Sequence, residues 1–344
     1  MIETLFVQVP EWLRMPQVRA AKQAPLPKLM PSEITRSISV VVPVYNSRDS
    51  LPELLRRLST VLEPLAPSRE IILVNDGSRD GSWGRIQELS RQYPGTLGIN
   101  LMRNYGQHNA LLCGIRRARF DVVVTVDDDL QHPPEEIPKL LERMTPDVDV
   151  VYGTPQAQRH GPLRDLASIV TKLALQGAMG ADTARAASAF RAFRTRVRDA
   201  FADYRGTFVS IDVLLTWGTV RFASVPVRHD ARRIGESQYT FRKLVGHALN
   251  MMTGFSVLPL QAATFIGFGF TLFGIGVLAY VVGRYVIQGG SVPGFSFLAS
   301  IIAIFSGAQL FALGIIGEYL ARMHFRMMDR PAYAIESDTT DPSD

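Results

Sequence analysis

Cysteine is nearly absent from this chain. Cys113 stands alone among 344 residues. That excludes an intrachain disulfide, and no Cys/His spacing of a zinc site occurs. The expected role of this thiol is that of a small packed residue. No GxGxxG and no P-loop occurs, which argues against dinucleotide cofactors and ATP hydrolysis. The charge excess is small, 37 Lys+Arg against 32 Asp+Glu for a net +5, with a sequence pI near 9.4. It suits an anionic lipid or a phosphate ligand and is too mild to argue for nucleic acid. Residues 1–36 lack the apolar core of a secretory signal and carry several prolines and mixed charges, so they read as an N-terminal extension without assigned structure.

Two long stretches lack charge altogether. None occurs from Ala248 to Gly283, and after Arg284 none occurs from Tyr285 to Gly317. Each exceeds the roughly 20 apolar residues that cross a bilayer. Transmembrane helices are therefore expected near 260–283 and 295–318. Arg242 and Lys243 precede the pair, and Arg322, His324, Arg326 and Arg330 follow it, whereas the connecting loop keeps only Arg284. The positive-inside bias then places both termini and the region upstream of the pair in the cytoplasm. Ser306, Gly307, Ala308, Gly314 and Gly317 would permit close helix packing, within one chain or in an expected homo-oligomer.

Upstream, strand and helix patterns alternate. β-branched runs at 38–44, 70–74, 97–102, 121–126 and 148–152 read as strands, with helices at 50–62, 82–93, 107–119 and 134–144. Ser50 and Glu53 suggest a capping box. The alternation implies an α/β fold, a mostly parallel sheet with helices on both faces. A mixed segment over 155–245 completes this region, with a helix at 163–177. The expected domains are an extension 1–36, an α/β domain 37–230, a basic juxtamembrane segment 231–256, a membrane hairpin 257–320 and a cytoplasmic tail 321–344.

In such sheets ligands bind at the carboxyl ends of strands, and the polar loops fall there. Asp127-Asp128-Asp129-Leu130-Gln131 follows an apolar strand. Closely spaced oxygen donors suit a hard divalent cation that bridges a diphosphate. Side-chain alternation would put Asp127 and Asp129 on one face and turn Asp128 away. Asp76, after another strand, can accept hydrogen bonds from a ribose or base edge. Pro43, Tyr45 and Asn46 are candidates to line the base pocket.

The phrases Val-Val-Pro-Val-Tyr-Asn (41–46), Val-Asn-Asp-Gly-Ser-Arg-Asp-Gly-Ser (74–82), Arg-Asn-Tyr-Gly-Gln-His (103–108) and Asp-Asp-Asp-Leu-Gln-His-Pro-Pro-Glu (127–135) resemble glycosyltransferase family 2 in its polyprenyl-phosphate branch. Gly-Glu-Tyr-Leu-Ala-Arg (317–322) and Arg-Pro-Ala-Tyr (330–333) extend the likeness. The resemblance implies a GT-A fold, Mg or Mn as cofactor, a nucleotide-sugar donor, most readily a UDP-sugar, and inverting transfer to undecaprenyl or another polyprenyl phosphate. The product would be a lipid-linked monosaccharide for envelope glycan or lipid A modification.

The resemblance further implies nucleotide binding by Asp76, with Asp127 and Asp128 beside the nucleotide. Asp129 and Gln131, with Asp127, are the implied metal ligands. Arg191, in Ala-Phe-Arg-Ala-Phe, is implied near the diphosphate or lipid phosphate. Arg232, Arg233, Ser237 and Tyr239 are implied at the acceptor phosphate, in a stretch resembling R-x-x-G-x-S-K-Y where Gln238 replaces the usual lysine. The alternative is a basic juxtamembrane contact with anionic lipid, but Gly and Ser interleaved with the cations favour the acceptor site.

A lipid monophosphate is already anionic near neutral pH, so no strong general base is needed. The absence of a Glu-Asp pair in 183–195 agrees with this. His108 and His132 are expected to be structural first and auxiliary second. The alternatives are a different donor such as GDP-mannose, a processive synthase and a non-catalytic membrane scaffold. A Q-x-x-R-W phrase is missing around Trp217, against the synthase, and the intact acidic cluster stands against the scaffold.

Overall fold

The computed structural model describes residues 37–155, 184, 186–230, 258–288 and 294–340. The extension 1–36, the expected helix 163–177 and the segment carrying Arg232, Arg233, Ser237 and Tyr239 lie outside these residues. The chain divides into two units, Met1–Tyr239 with Arg330–Asp344, and Thr240–Asp329.

The first unit alternates as its sequence dictates. The order is β1 (Ser37–Val44), α1 (Leu51–Leu65), β2 (Ser68–Asn75), α2 (Ser82–Gln92), β3 (Thr96–Leu101), α3 (Gln107–Arg117) and β4 (Val122–Thr125). A 3-10 turn at Pro134–Glu136 leads into α4 (Ile137–Arg143), followed by β5 (Val150–Pro155), β6 (Arg191–Arg194), a second 3-10 turn (Thr195–Phe201), α5 (Ile211–Gly218) and β7 (Phe222–Val227). One more strand, β8 (Ile335–Asp338), comes from the far end of the chain.

Together they form an eight-stranded sheet in the order β7-β5-β6-β4-β1-β2-β3-β8. β1 pairs in parallel with β2 and β4, β2 with β3, and β5 with β7, while β6 and β8 run antiparallel to their neighbours. The mostly parallel α/β fold read from the sequence is the one observed.

Because strand side chains alternate, the sheet builds two cores. Val40, Val42, Ile71 and Leu73 face one side with Leu54, Leu55, Leu58 and Leu62 of α1. Val41, Ile72, Val74 and Val123 face the other with α3 and α5. Helix α3 approaches closely because of Gly114, where a Cβ would lie 2.4 Å from Val41 Cγ1. The expected capping box on α1 does not form. Ser50 is already helical in its backbone, and its hydroxyl donates to Ser47 O at 3.0 Å. Glu53 instead pairs with Arg56 at 2.7 Å.

The second unit holds α6 (Leu258–Gln288) and α7 (Phe295–Met327), both longer than the expected spans. Their candidate membrane windows, Leu260–Ile287 and Ile304–His324, have mean hydropathies of 2.1 and 1.4 and are 0% buried inside the protein. Apolar surface all round a helix, uncovered by protein, is what lipid demands. The two helices meet where the Phe270 and Phe305 rings cross edge to face, 5.6 Å apart.

The expected tail 321–344 is a correction. Helix α7 continues to Met327, and the chain then returns to the first unit, where β8 pairs with β3. Four residues with two acids in Ile-Glu-Ser-Asp carry no strand pattern of their own. The open edge of β3 supplies their backbone partners.

Candidate functional site

The polar loops meet at the carboxyl ends of β1, β2 and β4. Strand β4 ends at Thr125, and the chain turns at once, so the alternation expected through 127–129 does not hold. Each acid is instead held by a different element. Asp127 Oδ1 accepts from Gln107 Nε2, the first residue of α3, at 2.6 Å. Asp128 Oδ2 accepts from the Tyr45 backbone N–H at 3.0 Å. Asp129 Oδ1 accepts from the Gln131 backbone N–H at 3.1 Å, closing a local turn. Leu130 sits at φ 61° inside that turn and is buried. A non-glycine residue there stores strain, and such strain gathers at functional sites. Burial raises the Asp128 carboxyl above its ordinary value, against hydrogen bonds from Ser47 and Tyr45.

The loop after β1 is laced to the loop after β2. Asn46, at φ 53°, takes Ser78 Oγ with its N–H at 2.9 Å and receives the Arg79 N–H on Oδ1 at 2.9 Å. The Arg48 N–H reaches Asp80 at 3.0 Å. This leaves the Tyr45 ring exposed at the rim. Pro43 is buried within β1 opposite Val74.

Asp76, expected at the nucleotide, is held by the loop that follows β3. It is 2% exposed, and its two oxygens accept the Tyr105 and Gly106 N–H groups at 2.6 and 2.8 Å. Burial raises its pKa, and the two N–H bonds oppose that rise. Its task is to hold the loop 103–106. Gly77 lets that loop lie close: its φ is +65°, and a Cβ there would stand 2.5 Å from Arg103 C and Asn104 N.

The neighbour that sequence reading passed over is Asn75, the last residue of β2. It is 2% exposed, and its Oδ1 has no hydrogen-bond partner among the described residues. Such a buried acceptor costs about 1–3 kcal/mol until a donor reaches it. Its Nδ2 donates to Asn100 Oδ1 at 2.7 Å. No sequence signal separates Asn75 from the adjacent Asp76. Only the partners differ.

Arg191, expected near a phosphate, is likewise held by protein groups. It is 1% exposed, ion-paired with Asp212, and its Nε lies 3.2 Å from Thr125 Oγ1. Tyr152 Oη joins at 3.1 Å from Asp212. A buried guanidinium needs its carboxylate, so this arginine anchors α5 to β4 and β5 instead of facing an open phosphate.

Both histidines have structural partners. His108 Nδ1 accepts the Ile211 N–H at 3.3 Å at the start of α5. The His132 ring stacks on Phe190 at 5.4 Å and meets His229 Nδ1 through Nε2 at 3.3 Å. Burial, with His229 beside it, lowers the His132 pKa to about 4. Asp230 N–H, next to His229, donates to Gln131 O at 2.8 Å. The end of β7 therefore closes over the acidic turn.

Asp127, Asp129 and Gln131 offer two carboxylates and an amide oxygen on one turn. Among the described residues no three His, Cys, Asp or Glu side chains surround a common point. That donor set fits a hard cation that keeps positions for substrate phosphate oxygens.

A family model described as glycosyl transferase family 2 matches residues 39–202. Undecaprenyl-phosphate 4-deoxy-4-formamido-L-arabinose transferase of Pseudomonas syringae pv. syringae (strain B728a) is 36% identical over 302 residues, 87% of this chain and 90% of that protein. The protein of the same name from Enterobacter sp. (strain 638) is 34% identical over 311 residues, 88% of this chain and 94% of that one. Among solved structures, the mannosyltransferase PcManGT from Pyrobaculum calidifontis, in complex with GDP-Man and Mn2+, overlaps 84% of this chain and 88% of its own at 16% identity, TM-score 0.48. Glucosyl-3-phosphoglycerate synthase from Mycobacterium tuberculosis, in complex with Mn2+ and UDP-glucose, overlaps 66% and 82% at 18% identity, TM-score 0.47.

Proposed function

The chain belongs to glycosyltransferase family 2, and from that premise we propose that it moves a sugar from a uridine-diphosphate donor to undecaprenyl phosphate, with inversion, at the cytoplasmic face of a bacterial inner membrane. The acidic turn after β4 carries the reading. Its three carboxylates are fixed by α3, by the loop after β1 and by the turn itself, as a preorganised cation site requires. The acceptor follows the relatives, whose names specify undecaprenyl phosphate.

The donor base enters between the Tyr45 rim and the end of β2. There the unpartnered Asn75 Oδ1 suits a ring N–H such as that of uracil. Asp127, Asp129 and Gln131 would hold Mg or Mn, which when bound neutralises charge growing on the leaving diphosphate. The chain's own residues do the positioning. Gln107 orients Asp127, the turn at Leu130 orients Asp129, and Asp76 fixes the loop 103–106 beside them. The lipid phosphate oxygen attacks the anomeric carbon, and the bond from that carbon to the diphosphate breaks. No described residue need act as a strong base, because the nucleophile is already charged. The basic stretch 232–239, with Gln238 in place of lysine, is assigned to the acceptor phosphate. Its Arg232 and Arg233 supply the charge.

Both ends of the apolar hairpin are continuous with the first unit, which regains the chain at Arg330. Two crossings with the catalytic unit on one side satisfy that connectivity. The test is Asp129→Ala in full-length protein. Transfer of sugar label to undecaprenyl phosphate should fall at least about 100-fold, the loss expected for a preorganised electrostatic group, with the melting temperature unchanged. Retained transfer would sink the metal assignment.

A further inference from the structure

A chain of side-chain hydrogen bonds crosses three neighbouring strands at the site end of the sheet. It starts on β8. Registration runs Ile99 with Asp338, Asn100 with Ser337, then Leu101 with Ile335, so Glu336 is the extra residue of a bulge. Bulges re-aim side chains beside functional sites. Here Glu336 Oε2 accepts from Asn100 Nδ2 at 2.8 Å. Asn100 lies directly opposite Asn75 on β2, and Asn75 Nδ2 donates to Asn100 Oδ1 at 2.7 Å. Asn75 Oδ1 is the buried acceptor left without a partner.

The chemistry of the first member fixes the direction of the rest. An ionised carboxylate only accepts. Asn100 must therefore turn its NH2 toward Glu336 and its oxygen toward Asn75. Asn75 must then turn its NH2 toward Asn100, which leaves its oxygen for a ligand. An amide is otherwise free to flip by half a turn, with nearly the same shape and the opposite polarity.

We propose that Glu336, through Asn100, sets the polarity of the Asn75 amide and so makes the donor site select a nucleobase with a ring N–H, such as uracil, over one with a bare ring nitrogen, such as cytosine. The proposal rests on the base position assigned to Asn75 above. Glu336 and Asn100 are positioning residues. They act through Asn75 and touch no substrate. The last strand of the chain, beyond both apolar helices in sequence, thereby contributes to donor choice, whereas the other residues assigned to the donor end at Gln131.

Glu336 is exposed, so its replacement does not threaten the fold. The experiment measures UDP and CDP affinities by calorimetry on full-length, detergent-solubilised protein: wild type, Glu336→Ala and Glu336→Gln. Melting temperature and protection of Cys113 from a thiol reagent serve as controls. Wild type should prefer UDP. Glu336→Ala should reduce the UDP-to-CDP preference about tenfold, the scale of one orphaned hydrogen bond, with both controls unchanged. Glu336→Gln brings an amide that can turn either end toward Asn100, so it should lose the preference much as Glu336→Ala does. An unaltered ratio in Glu336→Ala, against a discriminating wild type, overturns the relay and leaves the donor reading standing. A wild type that binds UDP and CDP equally overturns both. Equal loss of UDP and CDP affinity in Glu336→Ala marks a structural effect and also overturns the relay.

Discussion

Cys113 gives the most direct residue-level check on the packing of α3. It is fully buried, and burial pushes its thiol up to about 12. The thiolate is the reactive form. Raising the pH from 7 to 9, which ionises a free cysteine, should therefore bring no labelling by a maleimide or disulfide reagent until the protein is unfolded. Labelling of folded protein at pH 8 would place α3 differently. The same scale separates what the sequence could tell from what it could not. The Asp127–Gln131 turn was legible because three acids follow an apolar strand amid phrases that resemble the family. The partners of Asp76 and Arg191 were not. Both lie in suggestive phrases, yet each is held by groups distant in sequence, Asp76 by Tyr105 and Gly106 and Arg191 by Asp212. Asn75 was hidden for the same reason in reverse. Its proposed role at the donor base rests on having one partner too few.

Elements were read well where pattern and local chemistry agree. The parallel strands and α1 to α3 fall within a few residues of their expected limits, because buried β-branched runs and helical leucine spacing leave little choice. Strand β8 escaped because its partner, not its composition, makes it a strand. Loops show how elements join into a site. Gly77 has the closest approach to backbone of the described glycines, where the loop 103–106 passes over the end of β2. Gly77→Ala adds a Cβ against backbone at a φ that favours glycine. Thermal unfolding should drop by several degrees, and donor affinity should fall with it. An unchanged melting temperature together with unchanged UDP binding would mean that the loop is not pinned there. A stop codon in place of Tyr333 should expose the β3 edge and admit thiol reagent to Cys113, since it removes both β8 and the Tyr333 ring that lies against Cys113 and Arg116.

The whole molecule combines an eight-stranded α/β sheet with two apolar helices, and the chain returns to that sheet through β8. The proposed topology, two crossings with both termini on one side, is argued from the distribution of Arg and Lys and from the return of the chain to the first unit at Arg330. Single cysteines at position 4 and position 342, introduced into a Cys113→Ser background, should be labelled together by an impermeant thiol reagent only in inside-out membrane vesicles. Labelling of one in right-side-out vesicles and the other in inside-out vesicles would refute two crossings. The central claim is the reaction itself, and one assay meets it directly. Full-length protein is incubated with undecaprenyl phosphate, Mg or Mn and radiolabelled UDP-, GDP- and dTDP-sugars, and the lipid is extracted and counted. Label from a UDP-sugar should enter the lipid only when the metal is present and Asp129 is intact. Label that enters without metal, or none from any donor into a folded wild-type protein, would contradict the account.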